Sequence, residues 1–318
     1  MRETRVCGLL DIDYPIIQGG MTWIANAELA AAVSEAGGLG TISPNAGMRI
    51  EDNVELNLKK QIRLARELTA KPCAVNIVVL IPEIAALVDV LIEEGVPVVT
   101  TSAGSPRLYT NRLKEAGVKV LHVVSSVRQA QVAEDSGVDA VIAEGFEAGG
   151  HNGFDELTTM VLVPQIADAV EIPVIAAGGI ADARGLAAAF ALGAEGVQMG
   201  TRFIATAECN AHPNFKRRII ESLDTGTMIT GRALSPTRTL RNKFAARVAE
   251  MDRRGTNAEE LLAFIGMGRS RMGQFEGDVE NGELYCGEAS GMVRKVASAG
   301  DIIKEMVEGY DKVVARLR

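Results

Sequence analysis

The chain has 318 residues, of which 47% are hydrophobic and 23% charged, a balance ordinary for a soluble globular protein with a large core. Its net charge of −8 excludes nucleic-acid binding that relies on bulk positive charge. Four scattered cysteines (Cys7, Cys73, Cys209, Cys286) give no CxxC pair and no metal-finger spacing, so a reduced, cytoplasmic protein without a metal site is expected.

The opening MRETRVCGLLDIDYP lacks the long apolar run of a secretory signal. From residue 14 onward, short β-branched runs alternate with Ala/Leu/Glu-rich helical patterns. The first strand is predicted over 14–20 (YPIIQGG). A helix follows, with Asn26 as N-cap and Gly37 as its stop. Further strands are predicted over 39–43, 73–80 and 96–102. The most apolar stretch, NIVVLIPEIAALVDVLI, is broken by Pro82, Glu83 and Asp89, so it reads as strand and helix; a membrane span needs ~20 apolar residues. Next come a strand over 118–124, a helix opened by Ser125 or Ser126 and closed by Gly137, and a strand over 138–145. Strands over 172–179 and 194–201 flank a helix that runs from Asp182 to Gly193. All eight strands are near-continuous apolar runs, as parallel strands covered on both faces should be.

Eight strand–helix units predict an α/β fold, a (β/α)8 TIM barrel. A doubly wound open sheet would close its first strand with GxGxxG, and QGGMTW stands there instead. Residues 202–292 read as a mainly helical insertion on the substrate side. The barrel then comprises 1–201 and 293–318, with AGDIIKEMVEGYDKVVARL as its eighth helix. Residues 213–271 hold twelve Lys/Arg against six Asp/Glu. This is either a solvated helical face or a docking surface for an acidic partner, with Arg217, Arg218, Arg238, Arg241 and Lys243 as its candidates.

Barrel active sites lie at the C-terminal ends of the strands, with phosphate commonly bound after strands 7 and 8. Those ends read AAGGI, with Gly178 and Gly179, and QMGTR, with Gly200 and Thr201. Glycine lets backbone N–H groups approach phosphate oxygens, and Thr201 adds a hydroxyl. Strand 1 ends in another exposed turn, Gly19-Gly20-Met21. Asn76 and Gln198 are polar residues inside apolar strands; each is either a satisfied structural amide or a partner for the polar edge of a planar heterocycle. Strand 6 delivers AEGFEAGGHNG, residues 143–153, with Glu144, Glu147 and His151. A histidine in a glycine loop at the catalytic end of a barrel points to proton handling, since no second His or Cys is spaced to share a metal with it. His122 on strand 5 is a weaker candidate for the same mouth. His212 in NAHPNFK reads as structural or as part of a lid.

YPIIQGGM, AVNI, AEGFEAGGHNG, IPVIAAGGIAD, GAEGVQMGTRF and NAHPNFK together resemble the nitronate monooxygenase / enoyl-acyl-carrier-protein reductase II family of FMN-dependent TIM-barrel enzymes. The resemblance continues through GDVENGELYCGEASGMV, residues 277–293, which is similar to the bacterial enoyl-ACP reductase II branch. It implies that Gly178, Gly179, Gly200 and Thr201 hold the FMN phosphate. It also implies that Gly19, Gly20, Met21, Asn76, Glu144 and Gln198 line the flavin, with Gly149 and Gly150 beside it, and that His151 is the active-site histidine. The implied reaction is reduction of trans-2-enoyl thioesters by NADH or NADPH in fatty acid synthesis, with the thioester on acyl carrier protein and His151 orienting or protonating the developing enolate. The alternative within the family is a nitronate monooxygenase, in which His151 removes a proton α to a nitro group or steadies the nitronate and oxygen completes the reaction. Because acyl carrier protein is typically acidic, the basic stretch favours the reductase.

A homodimer through the insertion is implied by the resemblance alone. Family members with an iron–sulfur cluster need a cysteine pattern that is absent here. Asn152 stands where the family also carries apolar or basic residues. IMP dehydrogenase-like barrels share the strand 7–8 phosphate site but need a cysteine after strand 6, and none is there. A non-catalytic flavin-binding module would leave His151 in its loop unexplained.

Overall fold

The computed structural model describes residues 3–317. Among the described residues, eleven strands form in chain order: β1 (Ile16–Gln18), β2 (Gly40–Ile42), β3 (Cys73–Val78), β4 (Val98–Ser102), β5 (Lys119–Val124), β6 (Ala140–Glu144), β7 (Gly150–His151), β8 (Val174–Ala177), β9 (Gly196–Met199), β10 (Thr227–Thr230) and β11 (Thr237–Leu240). Eight of them pair in parallel in the order β1-β9-β8-β6-β5-β4-β3-β2, and a parallel bridge between Ile17 and Leu39 joins the two ends. This is the expected TIM barrel, and each of the eight predicted strands contains one of its staves.

Alternation along the staves divides the core in two. Ile17, Leu121, Ile142 and Ile175 pack inside the barrel with Val6, Leu10 and Ile12. Their chain neighbours Ile16, Val120, Val141 and Val174 pack outward against the helices. The helix Arg5–Leu10, which the sequence pattern did not signal, thus closes the N-terminal end of the barrel. Arg5 holds it there by pairing with Glu195, and Thr4 Oγ1 donates to the Glu195 carbonyl at 2.7 Å.

The helix signals work as local chemistry. Ser126, not Ser125, caps the helix Val127–Asp135 by accepting from Gln129 N, and Asp182 caps Ala183–Ala191 by accepting from Arg184 N. Asn26 sits at the N-cap of Ala27–Glu35 but makes no capping bond; its amide binds Glu28 and the Glu208 carbonyl. Gly37, Gly137 and Gly193 stop their helices with φ of +89°, +80° and +94°. The last helix, Ala299–Arg316, packs against both Ala27–Glu35 and Ala183–Ala191, the place of the eighth barrel helix.

Between β9 and that helix lie the helices Pro213–Ile220, Lys243–Arg253, Ala258–Ile265 and Arg269–Gln274. Phe244, Val248 and Leu261 give this region a small core of its own, with Phe244 and Phe264 stacked at 5.8 Å. It also carries a hairpin that the helical reading missed. β10 and β11 pair antiparallel, and β11 pairs with β7 through Thr237–His151 and Arg238–Gly150. No helix among the described residues is long and apolar enough to cross a membrane.

Candidate active site

The C-terminal ends of the staves open into a cavity of about 1130 Å³. Small-ligand sites usually span about 300–1,000 Å³, so there is room for more than one molecule. Gly19, Gly20, Met21, Asn76, Glu144, Gly149, His151, Gly178, Gly179, Gln198, Gly200 and Thr201 all line it. Gly150 does not; it is buried in β7 opposite Arg238, holding the histidine loop rather than facing the cavity.

The glycines are there for reasons of space and conformation. Gly178 and Gly179 have φ of +95° and +73°, where a side chain would be strained. A Cβ on Gly20 would collide with the Asn76 side chain. Asn76 donates through Nδ2 to the Thr100 carbonyl at 3.2 Å. Gln198 lies across Gly19, and its Oε1 is buried without a partner. A buried orphan acceptor on a cavity wall is what a bound donor would satisfy. Thr201 Oγ1 accepts from Gly287 N at 2.9 Å, which ties the tail of the insertion to the end of β9 and leaves the hydroxyl proton to donate. Two glycine turns, a threonine hydroxyl and an unsatisfied amide oxygen form a donor and acceptor set that fits a phosphate-bearing planar heterocycle.

His151 is held by the insertion. Thr237 Oγ1 donates to the Ser235 carbonyl at 2.9 Å, and a hydroxyl has only one proton. The 3.0 Å contact between Thr237 Oγ1 and His151 Nδ1 therefore has Nδ1–H as its donor. Nε2 is left as a bare lone pair. The residue is open to the cavity, yet the protein crowding its ring lowers its pKa, which keeps the imidazole neutral. Tyr285 flanks the ring at 5.6 Å, tilted by 57°. The Tyr285 hydroxyl bonds to Glu283 and Ser270, and Ser270 Oγ accepts from Trp23 Nε1 at 3.1 Å. Burial raises both Tyr285 and Glu283, the carboxyl to about 7.

Glu144 also ionises late, at about 7, because the protein packed around it partly removes it from water, although it lines the cavity. Glu147 instead braces the loop against the next helix, its carboxylate accepting from Thr159 N at 2.8 Å. Asn152 folds back to donate to the Ala148 and Gly150 carbonyls at 3.1 and 2.9 Å, so it stiffens the histidine loop. His122 does face the cavity, bound through Nδ1 to Thr101 Oγ1 at 2.7 Å, and burial pushes its pKa down to about 4. His212 is structural, its Nδ1 accepting from Asn214 N as a helix cap. All four cysteines are free, and no group of three or more metal-ligating side chains is found among the described residues.

The docking face drawn from the basic stretch needs correction at Arg238. This side chain is only 6% exposed, pairs with Glu288 at 2.8 Å, donates to the Phe146 carbonyl and lies over the Phe146 ring. It fastens the hairpin to the barrel. Arg218 and Arg241 also spend hydrogen bonds on nearby carbonyls, those of Arg241 and Thr225. Thr237 and Tyr285 were missed, although two four-residue β-prone runs, TMIT and TRTL, bracket the turn-rich GRALSP.

A profile of a family described as nitronate monooxygenase matches residues 3–87 and 83–309. A probable nitronate monooxygenase of Staphylococcus saprophyticus is 40% identical over 79% of this chain and 82% of its own length. One from Staphylococcus aureus is 34% identical over 99% and 92%. Among solved structures, FabK from Thermotoga maritima is similar with a TM-score of 0.92 and 46% identity, covering 100% of this chain and 99% of that one. Nitroalkane oxidase from Streptomyces ansochromogenes gives a TM-score of 0.84 and 29% identity, covering 98% and 99%.

Proposed function

This chain belongs to the nitronate monooxygenase family of oxidoreductases, and within it we propose an FMN-dependent enoyl reductase that uses NADH or NADPH to reduce trans-2-enoyl thioesters carried by acyl carrier protein. The observation that carries this reading is the outer wall of the cavity. Val78, Leu80, Phe154 and Leu234 line it, and Leu80 and Phe154 are 71% and 70% exposed. Isolated exposed apolar residues mean little, but four that line one site offer cover for an acyl chain. A short nitronate would leave that wall in water. The 46% identity to FabK, an enoyl-ACP reductase II, supports the same choice.

FMN, implied by the family, supplies hydride transfer when bound. Gly178, Gly179, Gly200 and Thr201 would hold its phosphate, and Gly19, Gly20, Met21, Asn76, Glu144 and Gln198 would line its ring, with Gly149 beside it. His151 handles the proton. The protein around the ring makes the imidazolium a stronger acid than free imidazolium, so a proton that Nε2 takes up from solvent passes more readily to the α-carbon of the thioester. Thr237 fixes which nitrogen does this, and Tyr285 sets the tilt of the ring.

The bare Nε2 also favours a second reading, proton abstraction from the carbon next to a nitro group, in line with the relatives named as nitronate monooxygenases. Chain-length dependence separates the two. For the reductase, kcat/KM should rise roughly fourfold per added CH₂ until the wall is covered, from about 0.8 kcal/mol per buried methylene. Replacing Leu80 and Phe154 by Ser should flatten that rise. No turnover of any enoyl thioester, with brisk oxygen consumption on alkyl nitronates, would sink the reductase reading.

A further inference from the structure

We propose that a cleft on the barrel's flank, between the helices Ala183–Ala191 and Ala299–Arg316, is a second binding site, built for a small anion carrying a phosphate or diphosphate group. The cleft encloses about 560 Å³ and shares no lining residue with the mouth cavity. The two lie back to back across the ends of β8 and β9. Ile180 and Thr201 line the mouth, while the next residues, Ala181 and Arg202, line the cleft.

Its charge runs against that of the molecule. In a chain of net charge −8, the cleft gathers Arg184, Arg202, Arg294, Lys295, Lys312 and Arg316. Only Asp182 and Glu305 oppose these six. Asp182 is taken up by Arg184, and Glu305 is divided between Lys295 at 2.7 Å and Arg202 at 3.4 Å. Lys312 and Arg316, one helical turn apart, have no ion-pair partner among the described residues.

Arg202 is the second, independent observation. It is 8% exposed, and its Nη1 is buried without any hydrogen-bond partner. A guanidinium does not escape this by losing its proton, so it remains a buried cation with a vacant donor. Glu305 reaches only Nη2, over a long contact, and its own side chain is 51% exposed. Arginine forks match phosphate oxygens, and a site of this volume admits a compact anion rather than a folded acidic domain. Glu305 then acts as a built-in competitor, occupying part of the site when the anion is away.

The test is calorimetric titration of inorganic pyrophosphate into the FMN-saturated protein at fixed ionic strength. Saturable binding of one anion per chain is expected. Lys312→Ala with Arg316→Ala should weaken it at least tenfold, and Glu305→Gln, which removes the competing carboxylate, should tighten it severalfold. Neither variant touches the mouth cavity, so turnover should be unchanged. ADP should bind with the same dependence on these variants, because the diphosphate is the recognised group. Absence of saturable binding would overturn the proposal. So would binding of either ligand that both variants leave unaltered, since that would place the anion elsewhere.

Discussion

Thr237→Val removes one hydroxyl while keeping the shape of the side chain and the backbone pairing of β11 with β7. In the native protein the hydroxyl accepts Nδ1–H from His151 at 3.0 Å and donates to Ser235 at 2.9 Å, and this double engagement selects the tautomer. Without it Nδ1–H has no acceptor, and the Nε2–H form becomes competitive. A hydrogen bond of this kind contributes about 0.5–1.5 kcal/mol net, so the fraction of His151 with a bare Nε2 should fall and kcat should drop roughly two- to tenfold. KM should change little, because the cavity walls are untouched. Thr237→Ser keeps the hydroxyl and should restore both tautomer and rate. Proton–nitrogen correlation NMR on the histidine ring reads the tautomer directly, beside the pH dependence of kcat. A valine variant with the native tautomer and native kinetics would refute the role of Thr237 in orienting His151.

His151→Ala should keep FMN and lose turnover at least tenfold, about 1.4 kcal/mol or more of transition-state stabilisation, read by flavin absorbance and steady-state rates on one preparation. Thr201→Ala with Gly179→Val should lose FMN on purification, since the valine must enter a backbone conformation of φ +73° and the hydroxyl is gone; a retained flavin spectrum would contradict the cradle. Glu144→Gln tests the half-buried carboxyl on the cavity wall. Its folded pKa of about 7 exceeds the ordinary 4.5, so the folded state holds the proton more tightly and stability falls as pH rises through that window. The glutamine variant of the FMN-free protein should therefore gain up to about 3 kcal/mol over the native one above pH 7, with the gap closing below pH 4.5. Equal denaturation midpoints at pH 8 would show that Glu144 is not confined as described.

The barrel was legible because its staves are covered on both faces, so β3, β5, β6, β8 and β9 stand out as mainly apolar runs, interrupted only by single polar residues such as Asn76, His122 and Gln198. His151 was legible from its place in a glycine loop after β6. What fixes that histidine was not, because Thr237 lies 86 residues away and reaches it through tertiary pairing. The hairpin of β10 and β11 carries threonines in place of an apolar alternation, so the surrounding helical patterns masked it. Arg238 shows the limit of counting charge: twelve cations against six acids describes a stretch of chain, not a surface. Its guanidinium is buried by the very hairpin that the pattern hid. Arg202 sits one residue past a motif residue, and only the packing of the last helix shows that it faces away from the mouth.

Enoyl reduction is tested most directly by anaerobic half-reactions. NADH or NADPH is mixed with the purified flavoprotein without oxygen, an enoyl thioester is then added, and flavin absorbance is followed through both steps. Rapid bleaching by the nicotinamide and rapid recovery on adding the thioester are predicted. Sluggish bleaching by both nicotinamides, with fast bleaching by an alkyl nitronate, would contradict the reductase and make the protein a nitronate monooxygenase.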